Sequence, residues 1–242
     1  MTAGSTTVRL AIVGAGKMGR AVAALAAERG FDVVATIGGR DNPGGSGIDE
    51  ASLRGAEVVI EFTEPSAAPT NIEACVDLGV PVVCGTTGWY DQLDAVVSDV
   101  RPNDGALLYA ANFSIGVAIF LEVARCAARA VAAAGGFDAH ILETHHAAKK
   151  DAPSGTALLI RGAVADALGG DTPVSSVRTG SVPGTHDLIF DGAFEQLRIE
   201  HLARDRRVFA DGALRAARWL LGRKGVFTME DVLVTVPTGD VR

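Results

Sequence analysis

Val8–Val13 (VRLAIV) runs without a break into Gly14-Ala15-Gly16-Lys17-Met18-Gly19, and a helix-like run follows from Arg20 to Arg29. A short apolar strand, three glycines in G-x-G-x-x-G spacing and a helix form the context in which this motif carries meaning. The first glycine allows a tight turn, the second lets backbone approach a pyrophosphate, and the third lets helix pack closely on strand. The amide hydrogens that open the helix then face the phosphates. This reading assigns dinucleotide binding to Gly14, Ala15, Gly16, Lys17, Met18 and Gly19.

Strand and helix alternate outward from this turn. Strands are expected at Phe31–Ile37, Ala56–Phe62, Val80–Cys84 and Ala106–Tyr109, with helices at Ala67–Leu78 and Asp91–Val100 and a glycine-rich loop at Gly38–Gly47. Such alternation predicts an α/β fold, a Rossmann-like doubly wound parallel sheet. After Asn112 the pattern changes. A long helix is expected at Ser114–Ala134, a strand at Ala139–Glu143 and a helix at Thr156–Leu168. Short strands should follow at Ser175–Thr179, Leu188–Phe190 and Gln196–Leu202. This is the pattern of a second α+β domain with an open mixed sheet. A helix at Gly212–Leu221 and the segment Val226–Val236 read as a return to the first domain. The division is therefore residues 1–113 with 207–242 for the dinucleotide, and 114–206 for substrate binding and assembly.

The chain is long enough, at 242 residues, for two modest cores. Its formal net charge of −7 argues against general nucleic-acid binding and leaves room for a local basic pocket. Cys75, Cys84 and Cys126 have neither disulfide nor zinc spacing, so no metal is expected and a reducing cytoplasm is the expected location. Met1–Thr7 is small and polar, with no signal-peptide core, and no apolar run approaches the ~20 residues of a membrane span.

The end of the second strand bears on the choice of coenzyme. An acidic residue there would hydrogen-bond a ribose hydroxyl, but the sequence reads Thr36-Ile37-Gly38-Gly39-Arg40. A guanidinium at Arg40 can pair with a 2′-phosphate, which favours NADPH with NADH tolerated. Two more loops follow strands: Gly85-Thr86-Thr87-Gly88 and Ala110-Ala111-Asn112-Phe113. Open parallel sheets bind ligands at such strand ends.

Residues Glu143–Ala157 (ETHHAAKKDAPSGTA) hold the densest chemistry. His145 and His146 end a strand, where neighbours point to opposite sides, so they should not share one task. A histidine can serve as an acid near neutral pH. Lys149 is close enough in sequence to reach the same pocket. Pro153 suits a first helical turn, and Ser154 and Asp151 are good caps. Amides at Gly155 and Thr156, with the Thr156 hydroxyl, can grip a carboxylate. A metal pair of histidines and a nucleophilic Ser154 are weaker readings, because a third ligand and a nucleophile elbow are both missing.

These residues resemble the 4-hydroxy-tetrahydrodipicolinate reductases (dihydrodipicolinate reductases) of diaminopimelate and lysine biosynthesis. The likeness rests chiefly on residues 143–157. Supporting matches are Glu61-Phe62-Thr63-x-Pro65, Gly85–Gly88, Ala110–Ser114, Arg178-x-Gly180-x-x-x-Gly184-x-His186 and Arg206 to Gly212, so it spans nearly the whole chain. It implies reduction by NADPH or NADH of a small cyclic dicarboxylate, with loss of water. It further implies His145 as proton donor, Lys149 as its catalytic partner, and His146, Gly155 and Thr156, beside Ser154, around the substrate carboxylates. Gly85, Thr86, Thr87, Ala110, Ala111, Asn112 and Phe113 would hold the nicotinamide side, Arg206 would lie near the coenzyme, and the mixed sheets would assemble a homotetramer. The chain departs from the family in its shorter glycine turn, in Gly38 where an acid is common, and in a short Leu168–Arg178 segment. The alternatives are an NAD(P)-binding sensor, which would not need the histidine–lysine cluster, and a reductase of a related cyclic dicarboxylate.

Overall fold

The computed structural model describes residues 7–100 and 103–234. Of the tail expected at Met1–Thr7 only Thr7 falls within them, and the segment Val226–Val236 leaves them after Val234. The chain forms two units: one runs to Phe113 and resumes at Phe209, and the other is Ser114–Val208.

The first unit is built on a six-stranded parallel sheet. Its strands are β1 (Val8–Val13), β2 (Phe31–Ile37), β3 (Val58–Glu61), β4 (Val82–Cys84), β5 (Ala106–Tyr109) and β10 (Gly225–Phe227), in the order β10-β5-β4-β3-β1-β2. Leu10, Ile12, Val58, Ile60, Val82 and Leu107 are fully buried, as strands covered on both faces must be. Helices α1 (Lys17–Ala26), α2 (Glu50–Leu53), α3 (Ala68–Asp77) and α4 (Leu93–Val100) lie between these strands in the chain. Helix α7 (Arg207–Leu220) and α8 (Met229–Val234) flank β10. The chain reverses direction across the sheet at β1, which pairs with β2 on one side and β3 on the other. The register Val13↔Glu61↔Cys84↔Tyr109 ends four strands in one row, so the loops that follow them gather at one edge.

The second unit carries a four-stranded mixed sheet in the order β7-β6-β8-β9: β6 (Phe137–His145), β7 (Val174–Arg178), β8 (Thr185–Gly192) and β9 (Gln196–Leu202). Only β6 and β7 are parallel. Helices α5 (Ile115–Ala134) and α6 (Gly155–Leu168) share one core with the sheet, in which Phe120, Ala124, Ala128 and Ile160 meet Ile141, Leu188 and Phe190. The small alanines let the helix approach closely.

The structure corrects several expected boundaries. Helix α1 begins at Lys17 rather than Arg20, because Gly16 itself is the N-cap. Helix α7 begins at Arg207, five residues before Gly212, which sits inside it with the position of a Cβ only 1.7 Å from the Phe113 carbonyl oxygen. Pro153 lies outside α6, not in its first turn, since Ser154 is the N-cap. Strands β6 and β8 are longer than read, and α2, capped by Asp49 and Ser52, was not foreseen. No helix of the described residues is long and apolar enough to cross a membrane.

Candidate active site

In the first unit each glycine of the turn has a separate steric reason. Gly14 has φ +107, a left-handed conformation that suits glycine, and a Cβ there would lie 1.9 Å from the Phe62 carbonyl oxygen. A Cβ on Gly19 would lie 1.9 Å from the Gly14 carbonyl oxygen, so helix and turn touch. At Gly16 a Cβ would meet nothing within 4 Å. No side chain caps α1 and no acid lies in its first turn. An open, uncapped, positively polarised helix start is a cradle that fits a pyrophosphate. Ala15, Gly16 and Lys17 are exposed there and Met18 is half-buried.

The flanking loops crowd the same sheet edge. Gly38 approaches Ala15, with the position of a Cβ 3.7 Å from that side chain, and Arg40 is exposed without an ion pair among the described residues. The Phe62 ring lies against Gly85, leaving no room for a side chain, and meets Phe113 edge-on with ring centres 5.8 Å apart. The two threonines of this loop part company. Thr86 is buried, its Oγ1 accepts the Thr63 N–H at 2.7 Å and its carbonyl accepts the Trp89 indole N–H at 2.8 Å, whereas Thr87 is exposed. Ala110 and Asn112 are half-buried, Ala111 is exposed, and Phe113 is buried against α7.

In the second unit, strand register assembles a polar row inside the sheet. Ser176, Glu143, His186 and His201 lie side by side on β7, β6, β8 and β9. His145 and Arg178 pair in the next row on the same face. Glu143 is 0 % exposed and serves four partners. Its Oε2 bonds Nδ1 of His145, while Oε1 accepts the Arg178 guanidinium at 2.7 Å and the Ser154 N–H at 3.3 Å. Burial pushes the Glu143 carboxyl up, but hydrogen bonds from Arg178, Ser176 and His145 outweigh it and hold the group at about 2. An ionised carboxylate only accepts, so the hydrogen on the His145 ring sits on Nδ1, and Nε2 is the atom that exchanges a proton. Burial, aided by Lys149 and Arg178, lowers the His145 value below 6.5 against the pull of Glu143. Nε2 faces Gly184, where a Cβ would sit 3.0 Å away.

The remaining expected residues divide between the site and its scaffold. Ser154 is 2 % exposed, and its Oγ accepts the Ala157 N–H at 3.2 Å and lies 3.1 Å from His186 Nε2, so its hydroxyl is a helix cap. Gly155 is exposed and Thr156 half-buried at the start of α6. Lys149 is half-buried, with Nζ 2.8 Å from Asp151. Arg206 donates to Nε2 of His146 at 2.6 Å, within the second unit. Arginine is always a donor, so the His146 ring carries its hydrogen on Nδ1. Glu143, His145 and His186 keep ligand atoms within 4.8 Å of one another, a spacing a cation could use, but Glu143 is already charge-paired with Arg178.

Profiles of the family described as dihydrodipicolinate reductase match almost all of this frame: its N-terminus over residues 8–113 and its C-terminus over residues 116–233. The chain belongs to the dihydrodipicolinate reductase family. It is thereby an NAD(P)H-dependent oxidoreductase of diaminopimelate and lysine biosynthesis. A 4-hydroxy-tetrahydrodipicolinate reductase of Thiobacillus denitrificans is 36% identical over 269 residues, which cover 94% of this chain and 98% of that one. One from Chromobacterium violaceum is 40% identical over 204 residues, 76% of this chain and 75% of that one. Among solved structures, a dipicolinate-bound dihydrodipicolinate reductase from Paenisporosarcina sp. TG-14 superposes with a TM-score of 0.79 at 22% identity, over 93% of this chain and 99% of the other.

For a dihydrodipicolinate reductase, the residues that sequence reasoning passed over are the supports of His145. Glu143 and Arg178 stood inside matched motifs without a role, as did Gly184 and His186. The available signal was alternation: Glu143 and His145 are two apart on one strand and therefore share a face.

Proposed function

We propose that this chain reduces 4-hydroxy-tetrahydrodipicolinate to tetrahydrodipicolinate, with His145 as the acid, and that the two units divide the work between coenzyme and substrate. The observation that carries this is the buried Glu143–His145 pair at the N-terminus of α6, near enough to Lys149 for that ammonium to oppose protonation of the imidazole. A nicotinamide coenzyme, when bound, would supply the hydride that the conjugated ring takes up once the ring hydroxyl has left as water. Negative charge then builds at the far end of the π-system, and Nε2 of His145 gives its proton there. Lys149, His146 and the amides of Gly155 and Thr156 bind the two carboxylates, and Ser154 holds that helix start in place. Acid catalysis of this kind supplies ~10²–10⁴-fold in rate.

Gly14–Gly19 hold the pyrophosphate, and Gly85, Thr87, Ala110, Ala111 and Asn112 line the nicotinamide side, with Thr86 and Phe113 supporting the two loops from beneath. The exposed Arg40 supports a preference for NADPH over NADH. The placement of Arg206 on His146 supports a part in substrate binding as much as in coenzyme binding. Assembly into a homotetramer uses the open face of the mixed sheet, where Val177 (41 % exposed) and Leu202 (54 % exposed) end one cross-strand row. A cytoplasmic location is supported by three free cysteines, of which Cys126 is exposed.

The test is an assay with freshly made dihydrodipicolinate synthase product, following NADPH and NADH oxidation in parallel. Turnover with both, faster at low NADPH, is expected. Coenzyme binding without turnover would mark a sensor, and turnover only with another cyclic dicarboxylate would move the substrate.

A further inference from the structure

Glu61 ends β3, near the middle of the parallel sheet, and is 0 % exposed. Its Oε1 receives the Thr63 hydroxyl and, at 3.3 Å, the Asn71 amide, while Oε2 receives the Cys84 thiol at 3.1 Å. Three donors and no acceptor describe an ionised carboxylate. Burial, followed by the neighbouring Glu61 charge, holds the Cys84 thiol well above its ordinary value, so its S–H remains a donor. No arginine, lysine or histidine pairs with Glu61 among the described residues. A buried anion held by dipoles alone is costly, and the chemistry of His145 and Lys149 has no use for it.

Its partners form a continuous path. Asn71, on α3, also donates to Thr63 Oγ1 at 3.1 Å and accepts from Asn42 Nδ2 at 2.8 Å. Asn42 in turn accepts the Gly47 N–H at 2.8 Å, which folds the loop that carries Arg40. On the other side, the Thr63 N–H reaches Thr86 Oγ1 at 2.7 Å in the loop after β4. The loop after β2 faces the adenosine end of a dinucleotide on this fold, and the loop after β4 faces the other end.

We propose that Glu61 is a positioning residue that locks these two loops to one another, so that both ends of the coenzyme are held at one separation. This rests on the reading of the first unit as the coenzyme site. Glu61 has no exposed surface to offer a coenzyme; it acts through Thr63 and Thr86 on one side and Asn71 and Asn42 on the other.

Equilibrium binding of NADPH and NADH without substrate tests it, on the full chain and on Glu61→Gln, Asn42→Ala and the double variant, with melting midpoints alongside. Wild-type protein that binds neither coenzyme removes the underlying reading of the first unit, and the proposal falls with it. With wild-type binding in hand, Glu61→Gln should bind about tenfold more weakly, the loss expected for a broken charged network. The double variant should bind no worse than Glu61→Gln alone, because the effect of Asn42 travels through Glu61. The KM for the dicarboxylate, at saturating coenzyme, should stay at its wild-type value. Wild-type affinity in a folded Glu61→Gln chain overturns the proposal, and so do losses from the two single variants that simply multiply. If Glu61→Gln fails to fold, Thr63→Val removes the hydroxyl while keeping the N–H to Thr86, and the same weakening and non-multiplication with Asn42→Ala are required of it.

Discussion

The Glu143 carboxylate takes Nδ1 of His145 on one oxygen and the Arg178 guanidinium, at 2.7 Å, on the other. The guanidinium keeps the carboxylate ionised, the carboxylate keeps the imidazole hydrogen on Nδ1, and Nε2 is left as the atom through which the proposed acid would deliver its proton. Glu143→Gln preserves the shape of this pair but can present an amide hydrogen to Nδ1, reversing the tautomer. It should lower kcat by about 10²-fold, part of what acid catalysis supplies. His145→Gln should cost at least as much. Both should leave coenzyme Kd at the wild-type value. Equal loss of kcat and coenzyme affinity in His145→Gln would mean that the histidine is structural.

The pH dependence follows from the same pair. As the proposed acid His145 must be protonated to act, and burial lowers its value below 6.5 in the free enzyme. kcat/KM should therefore fall as pH rises through a midpoint under 6.5. A doubly anionic substrate favours the imidazolium, so the midpoint in kcat should lie higher. Stability runs the other way. His145 lies below 6.5, and burial, then the nearby His145 charge, holds His186 at about 4. Groups lowered in the folded state stabilise above their unfolded values, and that stability is lost as pH falls through the folded ones. Glu143 extends the loss from 4.5 down to about 2. Urea midpoints should decline from near neutrality into acid, and His186→Asn should flatten the upper part of that decline. A midpoint indifferent to pH across this range would contradict the burial of both histidines.

Lys149 is half-buried and bonded through Nζ to Asp151 at 2.8 Å. A cation tethered in this way is pre-placed for a carboxylate without being fully neutralised, because Asp151 is largely exposed to water. Lys149→Ala should raise the dicarboxylate KM about tenfold, as expected for one charged hydrogen bond, and also slow turnover. Steady-state kinetics at saturating NADPH read this directly. Unaltered constants would remove Lys149 from the site.

What could be read in the sequence was what is local. The strand, turn and helix at Val8–Ala26 follow from apolar patterning and three glycines, and all five strands read before Tyr109 are present. The start of α1 was misplaced because Gly16 caps without a side chain, so no Ser, Thr or Asp announces it. Gly212 looked like a helix start, but it is glycine because α7 presses on the Phe113 carbonyl, a contact between distant parts of the chain. The same holds for the site. His145, Lys149 and the helix start share one segment and were legible together. Their support was not, because Arg178, Gly184 and His186 reach His145 only through the pairing of β6 with β7 and β8. Register is a tertiary property, and alternation within one strand could reveal only Glu143.

Gly184 tests that register-dependent support. It has φ +154, near the edge of the region that disfavours side chains, and a Cβ would lie 3.0 Å from His145 Nε2 and 3.3 Å from its Cδ2. That ring cannot retreat freely, because its Nδ1 is tied to a fully buried Glu143. Gly184→Ala should turn or displace the imidazole and lower kcat by about tenfold or more, since acid catalysis depends on the direction of the delivered proton. Gly162, within α6, is the matched control: it is exposed, and a Cβ there would meet nothing within 4 Å. Gly162→Ala should raise stability by ~1 kcal/mol through helix propensity alone and leave kcat untouched. Denaturant melts and kinetics on the two variants decide the matter. If Gly184→Ala turns over at the wild-type rate, Nε2 does not face this glycine in the working enzyme, and the orientation assigned to the His145 proton is wrong.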